Sequence, residues 1–163
     1  MFEFARLTDA GAAAALHALV FGEGERGVRA FYAPDAEREI HGVFDGDALV
    51  SALSFFPVEV GGAACVYMAG VCTHPDYRGR GLFRRNFAQA KAATAYDARN
   101  LFCIPANDSL FGLYESVGLR KRTCASLVSL DGSGSGGGYA FDGDYERLYA
   151  LYLASGPDVR HPF

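Results

Sequence analysis

The sequence has little of what a membrane, a metal or a nucleic acid demands. Its longest near-apolar stretch, residues 48–60, is interrupted by Ser51, Ser54, Pro57 and Glu59, so it is too short and too broken for the roughly 20 apolar residues that span a bilayer. The N-terminus lacks a basic head followed by an apolar run. No secretory signal is therefore expected, and the chain is assigned to the cytoplasm. Cys65, Cys72, Cys103 and Cys124 lie far apart in apolar stretches. None makes a Cys-x-x-Cys pair and no His/Cys cluster has metal-ligand spacing, so reduced core thiols are expected rather than disulfides or a bound metal. Positive charge is scarce too, with 15 Lys and Arg against 19 Asp and Glu. The net charge of −4 argues against a nucleic-acid partner.

What is present suits one globular domain: 163 residues, half of them hydrophobic, enough to bury a core. One segment departs from the acidic balance. Arg78, Arg80, Arg84 and Arg85 put four of the 15 basic residues within eight positions, and they coincide with glycines.

Residues 2–7 alternate apolar and polar side chains and predict a strand. Thr8 and Asp9 are good caps for a helix carrying Leu16 and Val20, and a second short helix with Val28, Phe31 and Tyr32 stops at Pro34. The period then changes to two. Strands are predicted over 39–44, 48–60 and 63–73, joined by tight turns at Asp45-Gly46-Asp47 and Gly61-Gly62 into an antiparallel meander. Phe83, Phe87, Ala90 and Thr94 mark an amphipathic helix. A short strand over 100–104 follows, and strand–helix–strand of this length implies a right-handed parallel crossover. Asn107 and Asp108 cap another helix, Gly118 ends it, and residues 119–130 read as a last strand. Residues 131–138 (DGSGSGGG) are a flexible linker. Residues 139–163 hold one more amphipathic helix with Tyr145, Leu148, Tyr149 and Tyr152. The fold class is α/β, a mixed and mostly antiparallel sheet with a central parallel crossover.

The junction from Val71 to Phe83 reads VCTHPDYRGRGLF: a strand ends, a glycine turn follows, a helix begins. Free N–H groups in a helix's first turn and the helix dipole attract an anion. Gly79 and Gly81 allow positive φ and close approach of a phosphate, and the arginines add charge-assisted hydrogen bonds. Leu82-Phe83 excludes a P-loop, which needs Lys then Ser or Thr there. Two glycines after an antiparallel strand exclude the dinucleotide fingerprint.

Val71, Pro75, Arg78 and Gly81 match the signature of the GCN5-related N-acetyltransferase (GNAT) superfamily, Gln/Arg-x-x-Gly-x-Gly/Ala after a strand with Val-x-x-x-Pro. Residues 107–119 (NDSLFGLYESVGL) resemble its second signature, with Asn107, Tyr114 and Gly118 in place. The element order resembles the family's over residues 1–130, as one catalytic domain. Phe83 departs from the usual Gly or Ala and resembles the enhanced-intracellular-survival acetyltransferases, which are longer chains.

The resemblance implies acetyl-CoA as cosubstrate and transfer of its acetyl group to a primary amine of a small molecule or peptide. It places the pyrophosphate over Arg78, Gly79, Arg80, Gly81, Leu82, Phe83 and Arg84, and the pantetheine arm along the backbone of Val71, Cys72 and Thr73. Main-chain pairing of that kind is strand addition. Tyr114 matches the tyrosine that gives a proton to the departing thiolate, being protonated at neutral pH with an unperturbed pKa of roughly 10. Asn107 matches an asparagine that contacts the cofactor, or simply caps its helix. No metal is implied, and homodimers are common in the family. The family's usual glutamate is missing from the strand before the turn. No base is assigned, with Glu59, His74 and Asp108 as candidates, and His17, His41 and His161 read as structural or exposed. Two other readings stay open: a non-catalytic acyl-CoA-binding module and an interaction domain of a longer protein.

Overall fold

The computed structural model describes residues 1–60 and 62–121, together with the backbone of residues 159–160. The elements are β1 (Phe2–Leu7), α1 (Gly11–Phe21), α2 (Glu25–Phe31), β2 (Glu39–Asp45), β3 (Ala48–Val60), β4 (Ala63–Thr73), α3 (Leu82–Ala93), β5 (Leu101–Cys103), α4 (Phe111–Glu115) and β6 (Val159–Arg160). Single 3₁₀ turns precede α3, β5 and α4. No helix among the described residues is long and apolar enough to cross a membrane.

The sheet runs β1-β2-β3-β4-β5, with β6 paired to β3 at Glu59 and Val60. Neighbours are antiparallel except β4 and β5, which are parallel as the crossover required. Residues 119–121 are not in a strand. The rest of the expected last strand, the linker 131–138, the helix beyond it, Cys124 and His161 lie outside the described residues. Val159–Arg160 was not expected as a strand, because two residues between Pro157 and Pro162 carry no readable period.

Helices cover both faces. Leu53, Phe55, Val66 and Met68 pack with Phe83, Phe87 and Ala90 of α3 and Tyr114 of α4. On the opposite face Ile40, Ala52 and Cys72 meet Ala13 and Leu16 of α1 and Val28 and Tyr32 at α2. Strand alternation serves both, since residues 52 and 53 point to opposite sides.

The alternation breaks once in β4. Ala52 pairs with Cys72 but Ser54 with Ala69, so β4 carries one extra residue there. Gly70 sits in this bulge at φ +59°, a conformation that side chains with a Cβ resist. Before the bulge Val66 and Met68 face α3; after it Cys72 faces α1. A Cβ on Gly70 would lie 2.9 Å from the Phe31 ring, so the helix side of the bulge is also closely packed.

A buried polar network fastens α3 to the sheet. Glu39, 1% exposed, ion-pairs with Arg6 at 3.0 Å, accepts from the Ala95 N–H at 3.1 Å and contacts His41 Nε2 at 3.2 Å. Asn86 donates from Nδ2 to the His41 carbonyl at 3.1 Å. Burial alone would raise the Glu39 carboxyl, yet hydrogen bonds from Thr94, Ala95 and His41 and the Arg6 charge hold it below its ordinary value. Burial pushes the His41 imidazole below its ordinary value as well.

Two outcomes are expected. A carboxyl depressed in the folded state stabilises above its unfolded pKa and loses that contribution as pH falls through the folded one. Glu39→Gln should therefore cost about 1.5–3 kcal/mol at neutral pH and flatten the acid side of a stability–pH curve from urea unfolding. Gly70→Ala should cost about 1–3 kcal/mol with unchanged dependence on urea; a variant as stable as the parent would contradict the strain assigned to the bulge.

Candidate active site

The β4–β5 ladder is short. Val66, Tyr67 and Met68 pair with Leu101, Phe102 and Cys103, and β5 then ends while β4 continues to Thr73. Beyond Met68 that edge of β4 has no partner strand among the described residues. The bulge at Gly70 opens this stretch by bending β4 where the ladder stops. Some of its polar groups are engaged: Ser51 Oγ donates to the Cys72 carbonyl at 3.1 Å, and Arg78 Nε to the Thr73 carbonyl at 3.3 Å.

At the end of β4 the chain makes the 3₁₀ turn Pro75–Tyr77 and enters α3. The turn is pinned. His74 N–H donates to the Val50 carbonyl at 2.9 Å, and the Tyr77 hydroxyl donates to Asp45 Oδ2 at 3.1 Å. The Tyr77 ring meets Phe2 edge-on, and the Arg80 guanidinium lies 4.7 Å over it. Beneath the turn, Leu82 is buried with Val43 and Val50.

Gly79 and Gly81 both have positive φ, +75° and +71°. A Cβ at either position would meet nothing within 4 Å, so these glycines border open space. The first bond of α3 runs from the Arg85 N–H to the Gly81 carbonyl at 3.3 Å. The amides of Leu82, Phe83 and Arg84 precede it, and no side chain caps them. The first turn holds no acid and carries Arg84 and Arg85. Cations at the positive end of a helix are unfavourable by about 0.3–1 kcal/mol each. Bare amides, open space and crowded arginines together fit an anionic ligand and fit little else.

The Phe83 ring does not obstruct this cradle. It is buried against Phe87 at 5.9 Å and stands edge-on to Tyr114 at 5.7 Å. Its periodicity with Phe87 and Ala90 put it on the inward stripe, and only its backbone faces the opening. An open groove beside it, between α3 and α4, is lined by Arg84, Phe87, Lys91, Ser116 and Val117, with Arg84 Nε donating to Ser116 Oγ at 3.0 Å.

Tyr114 comes from α4, on the same face of the sheet as Phe83. Burial pushes its phenol up to about 12, with the nearby Cys103 and Tyr67 groups adding to the rise. It is protonated throughout the neutral range and can donate. Burial also pushes the Cys103 thiol up to about 11, so the nearest cysteine is no nucleophile. Asn107 Oδ1 accepts from the Ser109 N–H at 3.1 Å and from its hydroxyl at 2.5 Å, which is the cap expected of it. Arg78 and Arg80 are exposed, and Arg80 also donates to the Asp76 carbonyl at 3.0 Å.

Of the candidate bases, Glu59 and Asp108 are exposed, and His74 Nδ1 accepts from the Asp76 N–H at 3.3 Å as the cap of its turn. Sequence reasoning set His17 aside as structural or exposed. It is buried, 4% exposed, and its Nδ1 lies 3.6 Å from where a Gly70 Cβ would be. A glycine inside a strand pattern was the readable signal for the bulge; nothing in the sequence tied His17 to it.

A family model described as an acetyltransferase (GNAT) domain matches residues 3–120. No curated protein matches the chain. Among solved structures, a Trypanosoma brucei acetyltransferase superposes with a TM-score of 0.61 at 17% identity, over 80% of this chain and all of that one. An aminoglycoside 6'-N-acetyltransferase from Acinetobacter haemolyticus gives 0.60 at 13%, over 79% and 98%. A ribosomal-protein-alanine N-acetyltransferase from Brucella melitensis gives 0.58 at 18%, over 80% and 100%. At these identities the likeness is one of fold.

Proposed function

The chain belongs to the GNAT acetyltransferases, and from that premise we propose that it takes the acetyl group of acetyl-CoA and transfers it to a primary amine. The observation that carries this reading is the uncapped first turn of α3 behind Gly79 and Gly81, placed at the end of an open β4 edge. In this reading the amides of Gly81 to Arg84 and the side chains of Arg78, Arg80 and Arg84 hold the pyrophosphate. The backbone of Val71, Cys72 and Thr73 pairs with the extended arm as an added strand would. Tyr114 holds the proton that the leaving thiolate needs. Acetyl-CoA supplies the activated thioester; the protein supplies position, charge and that proton. The three structures are named for an aminoglycoside antibiotic, a ribosomal-protein alanine and no stated acceptor, so the fold alone does not select the amine.

Calorimetry with acetyl-CoA tests the cofactor assignment. Gly81→Glu fills the open space with a like charge and should abolish binding, while Arg78→Ala should weaken it by about tenfold, one charge-assisted hydrogen bond. Tyr114→Phe should leave binding unchanged and lower kcat by about 10²-fold or more. Normal binding by Gly81→Glu would rule out the phosphate cradle.

A further inference from the structure

Among the described residues, two buried side-chain atoms have no hydrogen-bond partner: His17 Nε2 and Ser54 Oγ. Both lie on the α1–α2 face of the sheet beside the bulge. Ser54 alternates with Leu53 and Phe55, which face α3, and pairs in register with Ala69, the residue before Gly70. His17 stands beside Gly70, with Nδ1 3.6 Å from where a Gly70 Cβ would be and the edge of the Phe31 ring next to it at 2.9 Å. Orphaned polar groups buried this completely, 4% and 1% exposed, cost stability and need a reason.

The surroundings of His17 suit a proton acceptor. Phe21, Phe31 and Tyr32 enclose the ring at centroid distances of 4.5, 4.9 and 5.5 Å. Glu23, in the link between α1 and α2, places Oε2 3.4 Å from Nε2, and the Tyr32 hydroxyl is 3.4 Å from Nδ1. A carboxylate beside Nε2 favours the tautomer with its proton there, which leaves Nδ1 as the acceptor, shared between the Tyr32 hydroxyl and the bulge. The other polar neighbours do not compete for that role. Burial pushes both the Tyr32 phenol and the Cys72 thiol far above their ordinary values, and Arg38 lies over the outer face of the Tyr32 ring at 5.3 Å. Both gaps of 3.4 Å are long for hydrogen bonds, as catalytic contacts without substrate often are.

We propose that His17, steadied by Glu23, takes the proton of the acceptor amine at the Gly70 bulge. The inference rests on the acetyl-CoA reading above, because the bulge is where an arm paired along Val71–Thr73 would end. The amine nitrogen bonds to the thioester carbonyl carbon and the carbon–sulfur bond breaks. The amine's proton passes to His17 Nδ1, and the departing thiolate takes the Tyr114 proton. Both residues then re-equilibrate with water.

Transfer from acetyl-CoA to hydroxylamine, a nucleophile small enough for any open acceptor site, is read as acetohydroxamate at a fixed pH above neutrality, where the nucleophile is unprotonated, with acetyl-CoA binding measured separately by calorimetry. His17→Gln should bind acetyl-CoA as the parent does and lose about 10²-fold or more in kcat. Glu23→Gln changes a half-exposed side chain and should lower kcat by about tenfold or more with acetyl-CoA binding unchanged, because the carboxylate no longer fixes the tautomer. A His17→Gln or Glu23→Gln variant with the parent's kcat, or a parent that binds acetyl-CoA but shows no transfer above the solution rate, would overturn the assignment. Failure of the parent to bind acetyl-CoA would instead remove the cofactor reading, and this inference with it.

Discussion

One extra residue in β4 governs the arrangement of everything around it. Without the bulge at Gly70, residues 66, 68, 70 and 72 would share a face, and Cys72 would point at α3 instead of α1. With it, one strand seals two cores and turns away from β5 just where their pairing stops. The positive φ of Gly70 makes the bend affordable, and the lack of a side chain lets Phe31 and His17 settle against the backbone. An open strand edge, a close helix face and a break in the ladder thus share one cause.

The anion cradle depends on a different kind of constraint, rigidity imposed from below. Its turn is tied to the neighbouring β2–β3 hairpin, by His74 to Val50 and by Tyr77 to Asp45. The α3 helix is tied by Asn86 to the His41 carbonyl and by Glu39 to the amide just past its end. Glu39 remains ionised although buried, since four partners offset the burial. Such a group stabilises one docking of the helix and penalises every other, because a displaced helix would leave the carboxylate buried without its donors. Bare amides and like-charged arginines at the α3 N-terminus are tolerable only in a frame held this firmly.

Much of this was legible in the sequence. The period changes at Glu39 and at Leu82 mark the meander and the crossover helix, and Gly79 and Gly81 mark the turn between them. Phe83 departs from the resembled signature, yet its spacing from Phe87 and Ala90 already assigns its ring to the core. Apart from Gly70 itself, nothing marks the bulge, because residues 63–73 carry small or apolar side chains at both parities, so a slip of one leaves no polar residue stranded to announce it. His17 was hidden for a related reason. Its partners Glu23, Phe31 and Tyr32 belong to a loop and a second helix, and only the folded α1–α2 corner brings them onto Gly70. A lone histidine in an alanine-rich helix has no local pattern to distinguish it.

Amine acetylation asks for two opposite services within a few ångströms, one group that accepts a proton and one that gives a proton away. On the proposed reading the sheet itself keeps them apart. Tyr114 approaches from the α3–α4 side and His17 from the α1–α2 side, each packed into a different core. Burial keeps the phenol protonated up to about 12, while the carboxylate beside His17 Nε2 favours the tautomer in which Nδ1 is the acceptor. The gap at the end of the β4–β5 ladder then becomes the place where both can reach one reacting centre, and the bulge that creates the gap is also what brings the histidine to it.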